Sequence, residues 1–160
     1  MGKMFNPFTR VWDRVGETMI LANEVARVEG IVIADFKETD GLFERVISSA
    51  IVELKNRDSR RFKRVRKHVR FIINDATWAG GAVAGYSGSN GLCVVDLNEL
   101  VTKNEEILAA AYACILVHEA THGEISSRGI HYRRQNRARI ERLCVTEQNR
   151  CAASFAKADP

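Results

Sequence analysis

Ile107-Leu108-Ala109-Ala110-Ala111-Tyr112-Ala113-Cys114-Ile115-Leu116-Val117-His118-Glu119-Ala120-Thr121-His122 is the stretch on which the reading of this chain turns. Ahead of it, Thr102-Lys103-Asn104-Glu105 has the spacing of a capping box. The Thr102 hydroxyl takes an orphan backbone N–H and Glu105 reaches back, so a helix is predicted from there to about Ser126, with Gly129 as its stop. Inside that helix His118-Glu119-Ala120-Thr121-His122 reads H-E-x-x-H. Side chains four residues apart stand one turn above each other, so the two imidazoles can converge on one metal ion. Glu119, about 100° round the wheel, borders the same place and can reach a water there. Imidazole nitrogens completed by oxygen ligands suit zinc. Leu108, Ala111, Ile115, His118 and His122 share one stripe, expected to face the core. Two polar rings on such a stripe need partners: a metal, or hydrogen bonds between core histidines.

An open catalytic zinc site takes a third protein ligand. The longer pattern H-E-x-x-H-x-x-G-x-x-H is not met, since Ile125 and Arg128 stand at its Gly and His positions. Downstream, Glu124, His131, Glu141 and Glu147 remain. In the last predicted helix, roughly 133–156, Ile140, Cys144, Glu147, Cys151 and Phe155 form an apolar stripe with one carboxylate in its middle. Glu141 falls instead with Arg137, Val145 and Gln148 on a mostly polar face suited to ion pairing. A buried carboxylate needs a cationic partner, so Glu147 is expected as the third ligand, ahead of Glu141 and then His131. An arginine partner is the other reading of Glu147.

With these residues, the segment from Thr102 to Phe155 resembles the gluzincin metallopeptidases, and most of all the compact, single-domain minigluzincins. The resemblance implies a zincin-like fold in which His118, His122 and Glu147 bind zinc and Glu119 is the general base of peptide-bond hydrolysis. It also implies that the outer strand of a preceding hairpin is the edge on which an extended peptide pairs. Tyr132 and His131, just past Gly129, are expected to donate to the developing oxyanion. The chain departs from the thermolysin-like pattern in one respect. The aspartate four residues after the glutamate ligand is replaced by Cys151 after Glu147, or by Val145 after Glu141, so the group that orients a zinc histidine is not apparent from the pattern.

Upstream, residues 9–28 read as a helix, and residues 1–28 as a helical extension of a single domain spanning 1–160. Gly30–Ala34 reads as a strand, and Phe43, Val46, Ile47, Ala50, Ile51 and Leu54 mark a helix by their 3.6-residue spacing. A basic segment over Arg60–Lys67 and a strand at Val69–Ile73 follow. Five glycines between Trp78 and Leu97 punctuate a hairpin with strands at Ala82–Tyr86 and Leu92–Leu97, and Gly81–Tyr86 is expected to be its exposed edge. This order predicts an α+β fold in which a small antiparallel or mixed sheet packs on the H-E-x-x-H helix and a C-terminal helix.

Composition agrees with a folded domain: 160 residues, 46% hydrophobic and 28% charged, with two prolines. The longest apolar run, Ile107–Val117, is about half the ~20 residues a membrane helix takes, so no span is predicted. The N-terminal residues lack a signal-peptide core, and the four cysteines are scattered among apolar neighbours. Free buried thiols and a cytoplasmic location are expected. The net charge is +4, concentrated in nine Lys or Arg between Lys55 and Arg70 and in a second group from Arg128 to Arg142. The first cluster is a solvated helix face or a surface for nucleic acid or an acidic partner. A non-catalytic zincin-fold protein that binds through these patches is the alternative to a zinc peptidase.

Overall fold

The computed structural model describes residues 7–37, 39–75, 83–88, 90–97, 102 and 104–156, with side chains from residue 14 onward. Among the described residues are helices α1 (Pro7–Ala22), α2 (Leu42–Arg57), α3 (Ser59–His68), α4 (Glu105–Ser127) and α5 (Arg137–Ala156). The strands are β1 (Glu24–Val28), β2 (Ile31–Asp35), β3 (Phe71–Asn74), β4 (Ala84–Ser87) and β5 (Leu92–Val95). They form one mixed sheet in the order β1-β2-β3-β5-β4, with parallel pairing in the middle and an antiparallel strand at each side. The fold is therefore α+β.

The central strands β2, β3 and β5 are apolar except at their ends, Asp35 and Asn74, because both faces of the sheet are covered. Ile31, Ile33, Ile72, Cys93 and Val95 point into the larger core with α2 and α4, while Val32, Ala34, Phe71, Ile73, Leu92 and Val94 meet Ile20 of α1 on the other side. In α2 the residues with helical spacing, Phe43 through Leu54, are the buried ones. The basic segment is a separate helix because Asp58 leaves helical geometry (φ −144°) and caps the next turn, its carboxylate accepting from the Arg61 N–H.

Two expected boundaries move. The first helix ends at Ala22, and residues 24–28, expected to be helical, form β1. Glu29 and Gly30, both at positive φ, make a two-residue turn that folds β1 back on β2, and only a hairpin satisfies that turn. The cap of α4 is Asn104 rather than Thr102. Asn104 Oδ1 accepts from the N–H groups of Glu106 and Ile107, and Thr102 Oγ1 accepts from the Asn104 N–H, so the helix begins two residues later than the capping pattern suggests.

Strand β4 is the end of the sheet, paired only with β5 among the described residues. It is tied to the helices by Tyr86, whose hydroxyl donates to the His68 carbonyl at 2.9 Å. Gly123 on α4 makes this approach possible: a Cβ there would meet the Tyr86 hydroxyl oxygen at 2.7 Å and His68 Cβ at 2.8 Å. His68 Cβ lies too close to its own backbone to move aside. Gly123→Ala is therefore expected to destabilise the fold by about 1–3 kcal/mol, against the helix preference for alanine. Urea unfolding checks this, and an unchanged midpoint would mean that β4 is free to move off α4.

Candidate metal centre

Helix α4 is buried on most sides, lying against α2, α3, α5 and β4. His118 and His122 do not face its deepest side, as the stripe argument expected. Leu116, Val117 and Ala120 do, and the histidines are half-buried towards α5 and an open cleft. The helix stops where predicted. Gly129 (φ 78°) closes it with a Schellman pair, its N–H donating to the Ser126 carbonyl and the Ile130 N–H donating to that of Ile125. The chain then carries His131 and Tyr132 past the histidines before α5 begins at Arg137, held by a turn in which the Arg133 N–H donates to Asn136 Oδ1.

His118 Nε2 and His122 Nε2 face each other at 3.3 Å. Glu141 Oε2 lies 3.4 Å from the first and Glu141 Oε1 3.6 Å from the second. A tetrahedral ion with bonds of ~2.05 Å has ligand atoms about 3.3 Å apart, so the two Nε2 atoms stand at that spacing, and each has a different oxygen of the Glu141 carboxylate beside it. Two nitrogens and a carboxylate are also a suitable donor set for zinc. By fit and by chemistry, His118, His122 and Glu141 can hold a divalent ion.

The structure does not bring Glu147 to this place. Its Oε2 receives Arg64 at 2.8 Å and stands 3.2 Å from Arg61 Nε, and its Oε1 receives Arg150 at 2.7 Å. Burial would raise this carboxyl, but the bonds from Arg64 and Arg150 and the charges of Arg61 and Arg64 hold it at about 2. The buried-stripe argument rightly required a cation, and the cation is arginine. The same knot takes Glu124, which pairs with Arg64 at 2.6 Å and Arg128 at 2.5 Å. Part of the basic run thus faces inward: Arg61 and Arg64 join α3 to α4 and α5, while Arg60, Lys63, Arg66 and Lys67 are exposed.

Two residues of α5 belong to the site without having been assigned to it. Gln148 Oε1 lies 3.0 Å from His118 Nδ1. An N–H donated there fixes the tautomer that leaves Nε2 free to bind a metal, the role that the sequence pattern left without an aspartate. The i, i+7 spacing from Glu141 to Gln148 was the available signal. Cys144, fully buried one turn after Glu141, has its sulfur within 4.8 Å of ligand atoms of both histidines. Burial, together with the carboxylates of Glu141 and Glu119, pushes this thiol up to about 12. All four cysteines are free and buried.

Glu119 is only 7% exposed. Burial, with the charge of Glu141, raises its carboxyl to about 7. Burial likewise lowers His122, partly offset by the Glu141 carboxylate. For Glu141 the burial cost is outweighed by the Tyr132 hydroxyl and by the charges of His122, His118 and Arg137, and its carboxyl lies below the ordinary value. Tyr132 donates to Glu141 Oε1 at 2.5 Å, and its ring meets His122 edge-on with centroids 5.5 Å apart.

These groups open onto a cleft of about 590 Å³. One wall is Ala84, Gly85 and Tyr86 of β4. The other carries His131, Tyr132, Arg137 and Glu141, and His118, Glu119 and His122 form the floor. The expected edge lines the cleft at Ala84, Gly85 and Tyr86, which are half-buried; Val83 does not line it, and Gly81 and Ala82 lie outside the described residues. Comparison with known proteins returns no matching family model, curated protein or solved structure. Among the described residues no helix is long and apolar enough to cross a membrane.

Proposed function

We propose that the chain is a zinc-dependent peptidase of zincin-like fold, as the gluzincin resemblance implies, with the ion held by His118, His122 and Glu141. The observation that carries this reading is the joint arrangement of two imidazoles 3.3 Å apart, the Glu141 carboxylate against both, and a buried carboxyl, Glu119, in the same cleft. A site built only for structure has no use for such a carboxyl. When bound, the ion supplies a Lewis acid that acidifies water and polarises a carbonyl. Glu119, in surroundings that keep its affinity for a proton near neutrality, accepts the proton of the attacking water and passes it to the leaving amine. Gln148 holds His118 in register. Tyr132 holds Glu141 with its one O–H, and His131, on the same cleft wall, offers a donor to the oxyanion; Tyr132 takes that role only by turning its hydroxyl away from Glu141. The Ala84–Tyr86 edge of β4, which has no second strand beside it among the described residues, receives the substrate backbone in extended form, which gives affinity without demanding particular side chains.

A second reading rests on Cys144. If its thiolate joins the two histidines, the fourth position closes and the centre is structural, in a protein that binds a partner or nucleic acid through the exposed cations of α3. Replacing the ion with cobalt(II) separates the two. A peptidase site ligated by nitrogen and oxygen lacks the near-ultraviolet thiolate charge-transfer band, and the zinc-loaded chain cleaves peptides from a mixed library. An intense thiolate band with no cleavage overturns the peptidase reading in favour of the second.

A further inference from the structure

Zinc and general-base roles account for both carboxylates of the cleft, Glu119 and Glu141. One charged lining residue, Arg137, is left over. Its guanidinium lies over the Tyr132 ring at 5.7 Å from the centroid, and that ring in turn meets His122. It feels the charge of Glu141 but forms no ion pair among the described residues. Nearby cations share its sign: Arg133, Arg134, Arg139 and Arg142 are exposed and likewise have no carboxylate partner there. Helix α5 also starts at Arg137 with no acidic residue in its first turn, so its positive end is not offset.

We propose that Arg137 makes this cleft selective for peptides carrying a carboxylate within one or two residues of the bond to be cleaved. The inference rests on the peptidase reading and adds its substrate class. Arg137 is separated from His122 by a single aromatic ring, and an extended peptide advances ~3.4 Å per residue. A side chain one or two positions from the ion therefore reaches the guanidinium. A planar fork of donors resting on an aromatic face suits a carboxylate. That carboxylate can be an Asp or Glu side chain, or the chain terminus itself. The surrounding arginines add a long-range field that draws acidic peptides to the cleft.

The test measures binding, apart from turnover. Glu119→Gln protein loaded with zinc is titrated, at low salt, into hexapeptide pools labelled with a neutral dye. Glu, Gln or Lys is fixed at one position, and each pool is made both as the free acid and as the amide. The inference expects Glu pools to bind roughly five- to tenfold tighter than Gln pools. If the terminus is the group selected, acids bind tighter than amides by the same factor whatever the fixed residue. Arg137→Gln should erase the preference and Arg137→Glu should turn it towards Lys. Equal binding of all pools overturns the proposal, as does a Glu or free-acid preference that survives in Arg137→Gln. Zinc-loaded wild type is run in parallel on the unlabelled pools. Cleavage without carboxylate preference overturns this inference and leaves the peptidase reading standing, whereas the preference without cleavage overturns the peptidase reading and leaves Arg137 selecting carboxylates only for binding.

Discussion

Glu119→Gln is expected to lower peptide hydrolysis by about 10³-fold, within the 10²–10⁴ range of general acid–base catalysis, with no loss of bound zinc. The substitution keeps size and shape and removes only the ability to take a proton. Because Glu119 is buried on α4 beside Glu141, replacing it also relieves a repulsion between carboxylates, so the fold does not suffer. Metal content by elemental analysis and turnover on one peptide pool are measured together. Turnover equal to wild type would exclude Glu119 as the base, and loss of the metal would make it a ligand instead.

Two alanine variants separate the roles of the glutamates on α5, with opposite outcomes. Glu141→Ala removes a donor from the triangle with His118 and His122 and should weaken zinc binding by more than about a hundredfold, the upper end of what an outer-sphere partner contributes. Its side chain is 38% exposed, and stability without metal should hardly change. Glu147→Ala should bind zinc normally but lose about 1–2 kcal/mol of stability, because Arg61 and Arg64 each lose one of two carboxylate partners, Arg61 keeping Asp58 and Arg64 keeping Glu124. The Glu147 carboxyl sits at about 2 in the folded chain, below its unfolded value of ~4.3. Its contribution is complete above roughly pH 5 and fades as pH falls towards 2, where wild type and variant should converge. Zinc titration and urea unfolding at pH 7 and pH 3 give all four readings. Normal zinc affinity in Glu141→Ala with loss in Glu147→Ala would return the third ligand to Glu147.

Much of the fold follows from local patterns. The spacing of Phe43 to Leu54, the glycines before Leu92 and the stop at Gly129 each have one physical reading, and the structure has those elements there. Residues 24–28 misled because Val25 and Val28, three apart, mimic one helix face, and only the positive φ of Glu29 and Gly30 selects a hairpin. The site was legible along α4, where the i, i+4 rule operates within one element. It was not legible across α4 and α5. Which carboxylate of α5 meets the histidines depends on the rotation of one helix against another, and Arg61 and Arg64 of α3 set that rotation by claiming Glu147. Nothing within 133–156 encodes those arginines. Gln148 and Cys144 were missed for the same reason.

The donors lining the cleft come from two helices, His118 and His122 from α4 and Glu141 from α5. Unfolding scatters them, so an ion that binds this triangle binds the native chain far better than the denatured one. The heat needed to melt the protein then becomes a gauge of free metal. By mass action, an ion present at a hundred times its dissociation constant adds about 2.7 kcal/mol, and a chelator takes the same amount away. If zinc is the ion held there, as proposed, melting temperatures of this chain can be compared between laboratories only when the free zinc of each buffer is fixed.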